Sequence, residues 1–214
     1  MLDSKTIRQK VTEALRAHFG AKWFKPDSTR LVIAGTENRT DFIVEIDIYT
    51  ERRYGDYDCS AVVVIKWKKF LNTFKEFIIW YNKVYQASAQ PLKSFLRASF
   101  NGIEGDFSAK SRDAFLVENE EHVNIFIKQC IDDLDGKVGE WIKNWFTWTS
   151  ALATMDDNEN LCGSWRDTAY FCLLERIQGR EAACSWAQAL DSESWPELQA
   201  AQIRYLRSEV CRGT

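Results

Sequence analysis

The 214-residue chain is poor in the residues that carry most recognisable chemistry, since it has two histidines and 10 glycines. Two histidines leave few candidates for acid-base catalysis or metal binding. The sequence also lacks G-x-S-x-G, G-x-x-x-x-G-K-[ST] and H-E-x-x-H, the usual signatures of a serine nucleophile, a phosphate loop and a zinc protease. We therefore predict no catalytic residue, no metal ligand and no cofactor.

Long apolar runs are missing as well. No stretch approaches the roughly 18 apolar residues that a membrane-spanning helix needs. The first ten residues, MLDSKTIRQK, have no apolar core of signal-peptide length. These observations predict a cytoplasmic protein that does not enter a membrane.

The six cysteines, at positions 59, 130, 162, 172, 184 and 211, form no C-x-x-C pair. A zinc site is therefore not expected. Cys130, Cys172 and Cys184 lie within apolar helical patterns, where a thiol behaves as a small hydrophobic group. For a cytosolic protein we predict that all six thiols are reduced and that none binds a metal.

The residues that are abundant indicate a packed globule, because 45% of the chain is hydrophobic and 14% is aromatic. Charge is unevenly distributed. Residues 1–110 contain 18 Lys and Arg against 13 Asp and Glu, whereas residues 111–214 contain 10 against 18. The acidic second half could attract a basic partner, although solvated helix faces explain the same pattern more simply.

Two segments alternate apolar and polar residues with a period of two, the pattern of half-buried strands. The apolar positions are Phe42, Val44, Ile46 and Ile48 in the first segment, and Ala61, Val63, Ile65 and Trp67 in the second. Residues 51–60 between them are polar and aromatic and predict an exposed hairpin loop. Short strands are also expected over 22–25 and 30–34, after a first helix that ends at Gly20.

The segment 69–85 fits either an amphipathic helix or, in part, a buried strand, and helical spacing favours the helix. Pro91 predicts a short helix that includes Leu96 and Ser99, while residues 99–103 and 114–117 could add a hairpin to the sheet. A helix capped by Asn119 follows, either as one long bent helix or as two. Capping boxes over 164–167 and 194–197 predict two further helix starts, and Gly179 separates two helices.

Together these elements predict an α+β fold in which an N-terminal helix packs on an antiparallel β-meander and a mainly helical C-terminal portion follows. The expected domains are 1–117, with the sheet, and 118–214, with the helices, packed as one globule.

Candidate binding residues lie in the hairpin loop, where tyrosines stand beside charges as they often do in protein interfaces. They are Arg52, Arg53, Tyr54, Asp56, Tyr57 and Asp58. Trp141, Trp145 and Trp148 share one face of the predicted long helix, which suits either a ligand platform or the core. The core is favoured because the same face continues the apolar stripe.

An enzymatic alternative uses the polar strand faces. Glu45 and Asp47 share one face, and antiparallel pairing could bring them near Lys66, as in metal-dependent nucleases. Nucleases usually carry an acidic residue two positions before the lysine, where this chain has Val64. A cross-strand salt bridge is the favoured interpretation.

The order of helix, meander and helices, with the FxVxIxI strand from Phe42 to Ile48, resembles small bacterial domains found among toxin-immunity and phage-defence proteins. The resemblance covers residues 1–85 and transfers no site residue. It implies a protein that acts by binding and occluding a partner. The expected function is therefore a non-enzymatic cytosolic protein-interaction module, with another protein as partner and without nucleic-acid or membrane binding. A divergent nuclease-like enzyme is the alternative, and the oligomeric state stays open.

Overall fold

The architecture is α+β, as predicted. A computed structural model describes residues 2–23, 31–33, 42–90, 96–99, 115–157, 162, 165–192 and 194–213. Two compact units are interleaved along the chain: the first joins Met1–Ile65 to Arg97–Trp145, and the second joins Lys66–Leu96 to Phe146–Thr214. Division into folding domains at residue 117 stays a prediction.

Helix α1 (Ser4–Trp23) begins the first unit. Asp3 starts it by accepting a hydrogen bond from the Thr6 backbone N–H at 2.7 Å. Its apolar stripe is buried, namely Ile7, Val11, Leu15 and Phe19. Gly20 interrupts the helix with a φ of 53°, but helical residues continue to Trp23. The strand predicted over 22–25 is thus wrong at 22 and 23, and its other half lies outside the described residues.

Among the described residues, five strands form one sheet: β1 (Leu31–Ile33), β2 (Phe42–Arg53), β3 (Asp56–Trp67), β4 (Leu96–Ser99) and β5 (Phe115–Val117). Their order is β1-β2-β3-β4, and β5 also pairs with β3. β1 runs antiparallel to β2 and β5 runs antiparallel to β3. An antiparallel sheet after the first helix is confirmed, with three strands over 31–67, and β5 matches the strand predicted as an alternative over 114–117. Of its predicted partner strand over 99–103, only Ser99 lies among the described residues.

The short helix expected at Leu96 and Ser99 is wrong, because these residues form β4. A helix needs several residues before its hydrogen bonds repay nucleation. A four-residue segment beside the edge of β3 finds backbone partners immediately, so pairing prevails over local preference.

Helices α3 (Glu120–Asp135) and α4 (Lys137–Lys143) complete the first unit. Asn119 caps α3 by accepting a hydrogen bond from the His122 N–H at 3.0 Å, as predicted. The helix stops at Gly136, so the two-helix alternative is correct. α1 packs against both β2 and α3, and Phe115 of β5 stacks on Phe126 at 5.6 Å between ring centroids.

The three tryptophans of the predicted long helix are all buried, which confirms the core interpretation. They do not share a helix face, however. α4 ends at Lys143, Trp145 lies in a turn, and Trp148 begins the separate helix α5 (Trp148–Asp157).

The described part of the second unit is mainly helical, with α2 (Lys68–Tyr85), α5, α6 (Arg166–Gln178), α7 (Arg180–Ala189), α8 (Glu197–Tyr205) and a π-helix (Leu206–Val210). The helical interpretation of 69–85 is confirmed. α6 is central, since it packs against α2, α5, α7 and α8. Its buried residues surround the helix, as expected for a core helix: Thr168, Ala169, Phe171, Cys172, Leu173 and Leu174.

Aromatic rings fill much of this unit. Phe74 meets Trp165 edge to face at 4.5 Å, and Trp67 lies 5.0 Å from Trp148. The buried hydroxyl of Thr168 donates to the side-chain oxygen of Gln202, which satisfies a polar pair inside the core. The aromatic content of the sequence is therefore used mainly for packing.

Helix starts in the second unit differ from the predicted capping boxes. α8 begins at Glu197 with Pro196 at its N-cap, and no side chain caps it. Ser194 instead belongs to a turn in which the Trp195 N–H bonds the Ser192 carbonyl at 3.3 Å. For α6 the N-cap is Trp165, and Ser164 lies outside the described residues. Gly179, with a φ of 91°, separates α6 from α7 as predicted.

Cys184 and Cys211 form a disulfide with 5.6 Å between their Cα atoms. The prediction of six reduced thiols is therefore wrong. The remaining cysteines are free, and burial raises the pKa of the Cys59 and Cys172 thiols to about 12, so they stay protonated. The packing of α7 against the π-helix brings the bonded pair together across 27 residues of sequence.

Two arginines stabilise the same contact between α7 and the π-helix. The Arg207 guanidinium donates to the carbonyls of Ala187 at 2.9 Å and of Leu190, which lie at the end of α7. Arg180 donates to the Val210 carbonyl. Carbonyls that have no partner inside their helices are thereby satisfied. None of the described helices combines the length and apolar composition that crossing a bilayer requires.

Replacing both Cys184 and Cys211 with serine should lower the free energy of unfolding by about 3 to 4 kcal/mol, because the disulfide closes a long loop in the unfolded chain. Urea denaturation monitored by circular dichroism measures this. A thiol reductant should destabilise the wild type and leave the double variant unchanged. Equal stability of oxidised and reduced wild type, or six thiols titrating in the denatured protein, would contradict the disulfide.

Candidate interaction surface

The β2–β3 hairpin turns on only two residues, Tyr54 and Gly55. Both have positive φ, 51° and 108°, which is the sign pattern of a type I′ turn. The exposed loop predicted over 51–60 is therefore wrong in extent. Near the turn the sequence no longer alternates apolar and polar residues, because both faces of the sheet are exposed there. The backbone is nevertheless paired up to Arg53 in β2 and from Asp56 in β3.

Tyr54 is an unusual residue for this turn. A left-handed conformation costs a residue with a Cβ about 1 to 2 kcal/mol, and type I′ turns favour Asn followed by Gly. The side chain is also fully exposed, at 103% of its reference area. Tyr54 therefore gains no packing that would offset its backbone cost, so folding alone does not favour it.

An ion pair fixes which side chains share a face of the hairpin. Arg53 Nη1 lies 3.2 Å from Asp58 Oδ2. Asp58 stands opposite Leu116 of β5, and opposed residues point to the same side of a sheet. Alternation along the strands then defines an outer face. Next to the tip it includes Asp47, Tyr49, Glu51, Arg53, Asp56, Asp58, Ser60, Val62 and Leu116.

The inner side of the hairpin belongs to the core. Tyr57 stands opposite the buried Val117, and Cys59 stands opposite Phe115. Thr50 is hydrogen-bonded to Ser4 of α1 on this side. Tyr57 is accordingly half-buried.

The structure thus separates the six candidate binding residues. Tyr54 forms the turn; Arg53, Asp56 and Asp58 lie on the outer face; and Arg52 and Tyr57 alternate to the inner side. A short Gly-Ser link in place of 52–58 would also remove the pairs that Tyr57 and Asp58 make with β5. Only the two turn residues can be exchanged without loss of sheet pairing.

The residues of the nuclease-like alternative lie on two strands, Glu45 and Asp47 on β2 and Lys66 on β3. Glu45 is buried and stands opposite Val32 of β1. Asp47 accepts a hydrogen bond from the Tyr49 hydroxyl at 3.4 Å. Within the described part of the chain, no cluster of three or more His, Cys, Asp or Glu side chains could hold a metal ion.

Within each unit, acidic residues from the second half of the sequence form ion pairs with basic residues from the first half. In the first unit, Glu120 pairs with Lys10, and Asp135 lies 2.8 Å from His18 Nε2. In the second unit, Glu175 lies 3.2 Å from Lys69. Part of the charge asymmetry therefore serves internal pairing, which makes the acidic helices a weaker candidate for partner binding than the hairpin.

No protein-family model matches the chain, and neither the curated proteins nor the solved structures contain a match.

Replacing Tyr54 with asparagine should raise the free energy of unfolding by about 0.5 to 1 kcal/mol, because asparagine tolerates the left-handed turn better. In the same turn, Gly55→Ala should lower it by about 1 kcal/mol, because alanine is strained at a φ of 108°. Urea denaturation of the two variants and wild type measures both effects. Destabilisation by Tyr54→Asn would mean that the tyrosine contributes to folding after all.

Proposed function

We propose that this protein is a non-enzymatic interaction module that binds another protein through the tip of the β2–β3 hairpin. The observation that carries the proposal is Tyr54, a fully exposed tyrosine in a left-handed turn. Tyrosine offers a large amphipathic surface and loses few rotamers on binding, which makes it a frequent anchor in protein interfaces. A residue that costs folding energy and packs against nothing is well explained by such a role.

The hairpin presents this side chain on a rigid support. Its turn contains only two residues, and β3 pairs with β5 from Tyr57 to Cys59 on the edge away from β2. The Arg53–Asp58 ion pair links the two strands next to the turn. A preorganised site loses less conformational entropy when it binds, so more of its contact energy contributes to affinity.

Binding of this kind needs no catalytic group on the chain. The resemblance of the first 85 residues to toxin-immunity and phage-defence domains suggests occlusion of a partner as the mode of action. A bacterial immunity or defence role is accordingly part of the proposal. A bulky tyrosine projecting from a sheet suits a contact that blocks a partner's surface.

Photo-crosslinking tests the proposal directly. A benzoylphenylalanine residue at position 54, in the native host, should give a discrete adduct with one protein. The same residue at position 84, where Val84 is exposed in the second unit, should not. With the purified partner, Tyr54→Ala should weaken binding by about 2 kcal/mol, the effect of a typical interface anchor.

The stabilising variant Tyr54→Asn separates binding from folding, because it should lose affinity while folding at least as well as wild type. Unchanged affinity of this variant would rule out Tyr54 as the anchor. Adducts with nucleic acid in place of a protein would also contradict the proposal.

The cytosolic location is part of the same proposal, and the Cys184–Cys211 bond makes it testable. Cytosolic thiol systems keep most cysteines reduced. Alkylation of intact cells, followed by mass spectrometry, should therefore find this pair as thiols if the protein resides in the cytosol. A fully formed bond in cells would place the protein in an oxidising compartment.

A further inference from the structure

We infer that the outer face beside the hairpin tip docks a cationic, amphipathic segment of a partner protein. The inference rests on the proposed function and names the chemistry of the partner. It follows from three properties of the outer face: its exposed apolar centre, its excess of carboxylates and its position opposite the packed side of the sheet.

The apolar centre consists of Tyr49 and Leu116, which are 44% and 45% exposed. The two-residue turn places Tyr49 of β2 opposite Ser60 of β3, and Glu51 opposite Asp58. On the other edge of β3, Leu116 of β5 stands opposite Asp58. Tyr49 and Leu116 therefore flank β3 diagonally, about 12 Å apart by the spacing of strands and residues. An extended partner segment of about four residues spans this distance and can contact both side chains.

The net charge of the outer face determines which kind of partner segment is complementary to it. Among the described residues next to the tip, the outer face contains four carboxylates, on Asp47, Glu51, Asp56 and Asp58, and one guanidinium, on Arg53. Arg53 pairs with Asp58, so the surroundings of the apolar centre are negative. A partner segment with lysines or arginines around an apolar residue is complementary to this arrangement, whereas nucleic acid or an anionic membrane would be repelled.

The outer face stays accessible at this end because the helices pack on the other side. Cys59, Ala61 and Val63 are buried on the inner side of β3, where α1 and α3 contribute Ser4 and Phe126. Farther from the tip the outer side is covered, since Glu45 and Val64 are buried. The docking area is therefore limited to the region next to Tyr54 and is continuous with the proposed anchor.

The test uses a defined probe, an extended peptide of about 12 residues with alternating leucine and lysine, labelled with a fluorophore. Its matched control carries glutamate in place of lysine. Anisotropy titrations should show binding of the cationic peptide alone. The affinity should fall about tenfold as the salt concentration rises from 50 to 300 mM, because salt screens attraction between exposed charges. Amide shifts in NMR spectra should cluster at Tyr49, Glu51 and Leu116.

Variants locate the site. Glu51→Lys should weaken binding at least tenfold, Glu51→Gln should weaken it less, and Leu116→Ser should reduce it several-fold. The matched controls lie on α3, where Glu121 and Ile125 are also exposed. Glu121→Lys and Ile125→Ser should leave the affinity unchanged. NMR spectra of each variant verify that it is folded.

Several results would overturn the inference: equal binding of the glutamate peptide, binding of an oligonucleotide in its place, shifts confined to α3, or self-association of the protein through this face without peptide binding. Failure of this inference can be distinguished from failure of the proposed function. If Glu51→Lys leaves the affinity for the crosslinked partner intact while Tyr54→Asn abolishes it, the docking inference is wrong and the anchor stands. The reverse pattern would exclude Tyr54 as the anchor and keep the outer face as the docking surface for a cationic segment.

Discussion

The central constraint in the first unit is the pairing of β3 on both edges, with β2 on one side and with β4 and β5 on the other. A strand held in this way must alternate strictly, so every second side chain enters the core. Cys59, Ala61, Val63 and Ile65 are buried for this reason. The same alternation turns Asp58 outward, where it meets Arg53, and thereby determines which side chains surround the hairpin tip.

The second unit depends on a different constraint, the burial of α6 on all sides. A helix whose circumference is apolar needs neighbours all around it, and α2, α5, α7 and α8 provide them. Thr168 of α6 donates a hydrogen bond to Gln202, so this buried polar pair is satisfied inside the unit. The π-helix is held against α7 by the Cys184–Cys211 disulfide and by hydrogen bonds from Arg207, so a covalent bond and hydrogen bonds stabilise the same region.

The hairpin tip combines a stable support with an unfavourable residue. Strand pairing holds the turn in place. The free energy of this pairing offsets the cost of a tyrosine in a left-handed conformation. Proteins often place such local costs at functional positions. Here the cost, the full exposure and the neighbouring carboxylates coincide at one end of one sheet, whereas most of the other aromatic rings described are packed into the core.

Local sequence patterns determined the elements of this protein. Period-two alternation identified β2 and β3, helical spacing identified α1, α2 and α3, and Asn119 and Gly179 marked helix boundaries, because each signal depends on residues close in sequence. The candidate Tyr54 could also be found from sequence, since it lies between two strands. The length of the turn could not, because the polar ends of β2 and β3 resemble loop while their backbones pair.

The contacts between residues that are distant in the sequence were determined only by the tertiary structure. The Cys184–Cys211 bond, the pairing of Asp58 with Leu116, and the meeting of basic α1 with acidic α3 each link positions that no local pattern connects. The same holds for the conversion of residues 96–99 into a strand, which required the edge of β3. Periodicity specifies which face of an element is apolar, but only packing determines which other element covers that face and which face stays open to a partner.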